Sequence, residues 1–143
     1  MKTFDEILLQ LKNDIGKDLP ALLAAQSLQN FDLYEIGSSK DPKQKALLIY
    51  YSSAVLDKHA WLGTHNLINS VTIILHMQLF QCEELITAKY MQVLTDYMRK
   101  YNPFIIGMTI LDSMEVEVFP MEKNSTTFVL VVCTFQEFLD SCD

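Results

Sequence analysis

The stretch from Val71 to Phe135 constrains the fold more than any other part of this chain. Its apolar residues change spacing from every second position to every third or fourth position and back again, which is the change from strand to helix to strand. The predicted order is strand, long helix, strand and strand, over Val71–Leu79, Gln81–Tyr101, Phe104–Phe119 and Thr127–Phe135. In the first strand, Thr72, Ile74, His76 and Gln78 share one face, opposite a fully apolar face.

The first half of the chain is predicted to begin with a helix. Thr3 and Glu6 have the spacing of a capping box, in which two side chains satisfy free amides of the first turn. Gly16 is expected to end this helix, and a second short helix is expected with Pro20 in its first turn. The remaining predictions are a strand at Phe31–Ile36, a loop at Gly37–Lys43, a strand covered on both faces at Ala46–Tyr51, and a loop at Asp57–Asn66.

These predictions add up to an α+β fold. We expect a mostly antiparallel sheet of four to five strands, with the N-terminal helix and the long central helix packed on one face. A chain of 143 residues can bury one proper core. No linker, repeat or low-complexity tract interrupts it, so residues 1–143 are predicted to form a single domain.

The charge of the chain argues against several classes of partner. Eleven basic residues face eighteen acidic ones, for a formal net charge of −7. Nucleic acids and anionic membranes attract clustered Lys and Arg, and Arg99 is the only arginine here. Asp5 and Glu6 stand where a signal peptide needs apolar residues, and the apolar runs are too short to cross a membrane. With three cysteines and no CxxC spacing, the sequence predicts a cytoplasmic protein with reduced thiols.

The apolar content exceeds what one small core should need. Half of the residues are apolar, although the chain has only four glycines. The extra apolar surface has two possible destinations, a rich core or contacts between subunits, because obligate interfaces resemble a core cut in half. Composition alone leaves both open.

The candidate catalytic and metal sites are weak. Asp57, His59 and His65 could hold a metal, but their spacing matches no strong ligand motif and favours ordinary loop residues. Cys82 has no neighbouring base, and the chain lacks a nucleophile elbow or a glycine-rich phosphate loop. His76 is predicted to be a satisfied histidine within the sheet. We therefore predict no metal, no cofactor and no enzymatic activity.

The candidate interface residues lie in the predicted loop Asp57–Asn66 and on one face of the predicted strand Phe104–Phe119. Trp61 is the only tryptophan, and tryptophan is enriched among interface anchors. It can serve with Leu62 and His65 as a contact loop, or it can fold back and cap the core. Glu115 and Glu117 alternate with apolar residues, so they form either a solvated strand face or a charged rim between subunits.

The order of these elements resembles the tail-terminator, or tail-completion, proteins of long-tailed bacteriophages and prophages. The resemblance is carried by VTIILHMQLF, YMRKYNP, SMEVEVFP and STTFVLVVCTF, about half of the chain. It implies a non-enzymatic structural protein that forms a ring, commonly a hexamer, in contact with other tail or head proteins. It also implies assembly in the host cytoplasm, and it carries over no catalytic residues. Residues 21–37 are longer and more helical than this pattern requires.

A second function is compatible with the same residues. The chain can be a small cytoplasmic binding module, such as an adaptor, an immunity protein or a chaperone-like domain, acting as a monomer or dimer. Its acidic surface would then face a basic partner, and the opposite charges would mainly increase the rate of association. The two functions differ in the number of chains in the assembly.

Overall fold

The computed structural model describes residues 2–37, 41, 43–56, 67–108, 110–121 and 125–139. Two helices and five strands are built from these residues, together with one turn of 3-10 helix at Pro103–Ile106. The helices are α1 (Phe4–Ala25) and α2 (Glu84–Lys100), and the strands are β1 (Leu33–Ile36), β2 (Ala46–Val55), β3 (Leu67–Phe80), β4 (Ile110–Met121) and β5 (Thr126–Leu139).

The five strands form one sheet in the order β1-β2-β3-β5-β4. β1 runs parallel to β2, and every other neighbouring pair is antiparallel. The longest pairing joins β3 to β5, from Leu67 opposite Leu139 to Phe80 opposite Thr126. This architecture confirms the predicted α+β fold and its mostly antiparallel sheet.

Both helices pack on the same face of the sheet, as predicted. α1 contributes a stripe of buried residues four positions apart, and α2 contributes Tyr90, Leu94 and Met98. The strands meet them with every second side chain, because successive strand residues point to opposite faces. The buried apolar residues from α1 and the three long-paired strands are Ile7, Leu11, Ile15, Leu19, Leu23, Leu47, Ile49, Val71, Ile73, Leu75, Met77, Leu79, Val129, Val131, Cys133 and Phe135.

Two predictions for the N-terminal helix are wrong. α1 continues through Gly16 and Pro20 as one helix, because the apolar stripe continues with Leu19 and Leu23. Burial of each leucine stabilises the folded protein by about 1.5–3 kcal/mol. The two burials together offset the cost of a proline inside a helix, which is roughly 3 kcal/mol. The capping box is not formed either, since the Thr3 side chain makes no capping hydrogen bond.

The strands also depart from their predicted bounds. β3 begins four residues earlier than predicted, at Leu67. The predicted strand at Phe104–Phe119 begins only at Ile110, because a 3-10 turn precedes it and Gly107 has a φ of 81° there. A residue with a Cβ atom would also meet Lys2 at 3.0 Å, so this position favours glycine.

The stripe on α1 should dominate the stability of the fold. Leu11 is fully buried, whereas Leu9 on the same helix is 50% exposed. We expect Leu11→Ala to lower the free energy of unfolding by about 2–5 kcal/mol, because it leaves a cavity in the core. The matched control Leu9→Ala should stay within about 0.5 kcal/mol of the original protein. Urea unfolding of both variants measures the difference, and equal losses would contradict the assigned burial.

Candidate protein interface

The face of the sheet opposite the helices, which we call the open face, is apolar in part and polar where Thr72 pairs with Thr134. It consists of the strand residues that alternate with the core residues, and no helix among the described residues lies on it. Ile74, Leu130 and Val132 on this face are half-buried, whereas Leu48, His76 and Gln78 are buried. The residues of the open face used below are Glu35, Leu48, Tyr50, Thr72, Ile74, His76, Gln78, Glu115, Glu117, Phe119, Phe128, Leu130, Val132 and Thr134.

Strand register arranges the open face in rows that cross the sheet. One row runs Glu35, Leu48, His76, Leu130 and Glu117, from the edge strand β1 to the edge strand β4. Neighbouring strands lie about 4.8 Å apart, so the backbones of Glu35 and Glu117 are about 19 Å apart. The row is therefore acidic at both ends and largely apolar between them.

The next row repeats this pattern. Tyr50, Ile74, Val132 and Glu115 are paired in that order across β2, β3, β5 and β4. The first three side chains are half-buried, and Glu115 is exposed. The apolar centre of the open face thus lies beside the carboxylates of β4.

His76 lies at the middle of the sheet and is 8% exposed. Its Nδ1 atom lies 3.2 Å from the hydroxyl of Tyr50, and its ring meets the ring of Phe128 edge-on at 5.1 Å. Burial lowers the pKa of His76, because it penalises the charged imidazolium. The Nε2 atom has no hydrogen-bond partner among the described residues. The predicted satisfied histidine is therefore satisfied at one of its two nitrogens.

One end of the open face is closed by the chain that precedes β2. The side-chain amide of Gln78 donates hydrogen bonds to the carbonyl oxygens of Asp41 and Gln44, the second at 2.9 Å. Leu48 and Gln78 are both fully buried. The accessible part of the open face consequently begins beyond them, around Ile74 and Val132.

The candidate interface residues lie in two different parts of the chain. Glu115 and Glu117 are exposed on β4, at the edge of the open face. Trp61, Leu62 and His65 lie outside the described residues, so their role as a contact loop stays a prediction. Asp57 and His59, the other residues of the weak metal motif, lie outside them as well.

The open face is not among the candidate sites predicted from the sequence. The signal was present in the uninterrupted apolar run Phe128–Cys133, because a strand that is apolar at every position has two apolar faces. Ile74 belongs to the same surface, but on its own strand it is flanked by the polar residues Thr72 and His76. Only the pairing of β3 with β5 places Ile74 beside Leu130 and Val132.

The titratable groups on the helix side serve the fold. The hydroxyl of Tyr97 donates to Asp18 at 2.9 Å and that of Tyr101 donates to Asp14 at 2.6 Å, which ties α2 to α1. Burial raises the pKa of both tyrosines, and the neighbouring aspartates add to the effect. The described residues contain no group of three or more His, Cys, Asp or Glu side chains placed to share a metal.

The described cysteines are free thiols. Cys82 is half-buried and Cys133 is buried among the core residues. Burial raises the pKa of Cys133 to about 12, so its thiol stays protonated at neutral pH and is a poor nucleophile.

No protein-family model and no curated protein matches this chain. None of the helices in the described ranges is long and apolar enough to cross a membrane.

The buried position of His76 predicts how stability changes with pH. The pKa of His76 is lowered in the folded protein. As the pH falls through the ordinary histidine value of about 6.5, His76 is therefore protonated in the unfolded chain before it is protonated in the folded protein. We expect the free energy of unfolding to decrease between about pH 7.5 and pH 5.5, and to decrease less in His76→Gln. Denaturant titration of dilute protein at both pH values measures this. The other two histidines are present in both proteins, so an equal decrease would exclude His76 as the cause.

Proposed function

We propose that this protein is a non-enzymatic structural protein that works by associating with copies of itself and with other proteins. The observation that carries the proposal is the open face, a half-buried apolar surface with no described helix on it. Apolar surface that reaches solvent marks sites of protein–protein contact when it is contiguous and has a polar rim.

The described polar groups favour a structural over a catalytic role. Asp14 and Asp18 accept hydrogen bonds that hold the two helices together. The buried Cys133 thiol is held in its protonated form. Glu115 and Glu117 are exposed on a strand, where they suit a charged rim better than acid–base chemistry, which favours carboxyl groups held in a cleft.

The more specific form of the proposal is a ring-forming tail-terminator protein of a phage or prophage. The resemblance in the order of elements supports it, and the open face supplies an apolar surface of the kind that obligate assemblies bury. Its partners would be further copies of the chain, in a ring of up to six, and other tail or head proteins. It would assemble in the host cytoplasm and remain in the virion.

A second candidate function is favoured by the acidic ends of the rows. Glu35 lies at one edge of the open face and Glu115 and Glu117 at the other, with apolar residues between. A basic partner with an apolar centre would complement this pattern in charge. The protein would then be a cytoplasmic adaptor, immunity protein or chaperone-like module, acting as a monomer or dimer.

The mass of the assembly in solution separates these functions. We expect light scattering after size exclusion to give a closed assembly, whose mass rises with protein concentration and stops growing at about six chains. A protein that stays monomeric at every concentration tested would contradict the structural function and favour the adaptor. Trp61→Ala, measured in parallel, tests whether the predicted contact loop joins subunits.

A further inference from the structure

We propose that the outer edge of β4 binds an extended segment of another protein, in which basic and apolar residues alternate, as an added strand of the sheet. The binding edge runs along residues 113–120, beside the open face rather than on it. This inference rests on the proposed function only in that the protein works by binding other proteins, and it specifies one such partner by its chemistry.

The first observation is that β4 ends the sheet. In the strand order β1-β2-β3-β5-β4, it pairs with β5 on one side, and no described strand lies beyond it. Its pairing with β5 continues from Ser113 to Met121 without a shift in register. An edge strand of this length presents a row of backbone N–H and C=O groups to which an extended peptide can bond.

Two observations show which backbone groups of β4 point outward. Pro120 has no N–H, and a proline inside a strand lies where that position faces away from the neighbouring strand. The N–H of Gln81 donates to the carbonyl oxygen of Ser125 at 2.7 Å, just beyond the end of the β3–β5 pairing. By alternation the backbone of Thr127 then points toward β3, so its partner Pro120 points away from β5. The other N–H groups that point outward belong to Met114, Val116 and Val118.

The second observation is a groove between β4 and α2, on the helix side of this edge. Its volume is about 210 Å³, and it is lined by Val118 and Pro120 from β4 and by Ala88 and Met91 from α2. An apolar cavity of about 150 Å³ holds benzene, so the groove has room for a large apolar side chain. A strand added to β4 presents every second side chain to this side of the sheet, where one of them would fill the groove.

The third observation is the charge on the other side of the edge. Glu115 and Glu117 are exposed there, and the charged residues of β4 are all acidic, with Asp112 as the third. Alternate side chains of an added strand lie directly beside these glutamates, because cross-strand neighbours share a face. Lysine or arginine at those positions would pair with them. The occupant therefore directs apolar residues toward α2 and basic residues toward the open face.

The β4 strand of a second copy fits this edge less well. Antiparallel pairing of two β4 strands centred on Val116 would place Glu115 opposite Glu117 of the other copy, and like charges directly opposite one another are destabilising. Each chain also has a formal net charge of −7. A basic segment gains from opposite charge instead, so its binding should weaken as salt is added.

The test measures binding of a fluorescent peptide to the full chain by anisotropy, in low and high salt. The peptide alternates lysine and valine over about eight residues, which matches residues 113–120 in length, and its ends are acetylated and amidated. We expect binding in low salt that weakens in high salt. A peptide of the same composition, with its lysines and valines in two separate blocks, should lose most of this binding because it cannot direct them to opposite faces.

Methylation of the peptide backbone tests strand addition directly. In the extended peptide, the N–H groups of the valines point to one edge and those of the lysines point to the other. Only one of these edges bonds to β4, so methylation of one set of amides should abolish binding and methylation of the other set should preserve it. Equal effects of the two methylations would show that the backbone of the peptide is not bonded along one edge, and would overturn the inference.

Two substitutions at Val118 separate its backbone from its side chain, which is 44% exposed. Val118→Pro removes an outward N–H and should weaken binding by about tenfold. The matched control Val118→Thr keeps the N–H and the branched shape, and should bind within about twofold of the original protein. Glu115→Gln with Glu117→Gln should weaken binding in low salt by about threefold and should reduce its salt dependence.

The mass of the assembly, measured in the same samples, separates this inference from the proposed function. A six-chain assembly that binds no alternating peptide at about 1 mM in low salt overturns the inference and leaves the structural function standing. A monomer that binds the peptide supports the inference and the adaptor function. Loss of the assembly in Val118→Pro, without peptide binding to the original protein, would show that β4 joins copies of the chain and would overturn the inference. Should Val118→Pro fail to fold, the two methylated peptides decide with the original protein.

Discussion

The pairing of β3 with β5 is the constraint on which the rest of the structure depends. Fourteen residues of each strand face one another without a break in register. Because side chains alternate along both strands, this one ladder creates two surfaces at once. The surface with Ile73 and Val131 receives both helices, and the surface with Ile74 and Val132 becomes the centre of the open face.

The two surfaces differ in what surrounds them. The helix side is closed by the apolar stripe of α1 and tied across the helices by the Tyr97–Asp18 and Tyr101–Asp14 hydrogen bonds. The open face has carboxylates at its edges and the half-satisfied His76 at its middle. A buried imidazole nitrogen without a described partner and an apolar centre with an acidic rim both fit a surface that becomes covered in an assembly.

Local patterns predicted most of the elements, and long-range pairing accounts for what they missed. The alternation in Val71–Leu79 was sufficient to identify the central strand and to divide its side chains between two faces. The end of α1 was wrong because Gly16 and Pro20 are local signals, whereas Leu19 and Leu23 gain their burial from a sheet that is distant in sequence. The parallel pairing of β1 with β2 and the order of the strands are likewise set by contacts that no local pattern encodes.

The candidate site was only partly predictable for the same reason. Glu115 and Glu117 could be placed on an outward strand face from their alternation with Met114 and Val116. Their position beside a half-exposed apolar centre depends on β4 pairing with β5 and on β5 pairing with β3. Trp61, the only tryptophan in the sequence, lies outside the described residues, and the phage-tail resemblance stays a prediction.

Hydroxyl-radical footprinting across protein concentration is the most direct test of the central claim that the open face is a contact surface in the assembled protein. Tyr50, Phe128 and Leu130 should lose reactivity as the concentration rises, while Leu9 and Leu85 on the helix layer keep theirs. The helix-layer leucines serve as the internal reference for radical dose. Constant reactivity of Phe128 and Leu130 relative to Leu85, up to concentrations at which the protein is assembled, would show that the open face stays in water and would contradict the account.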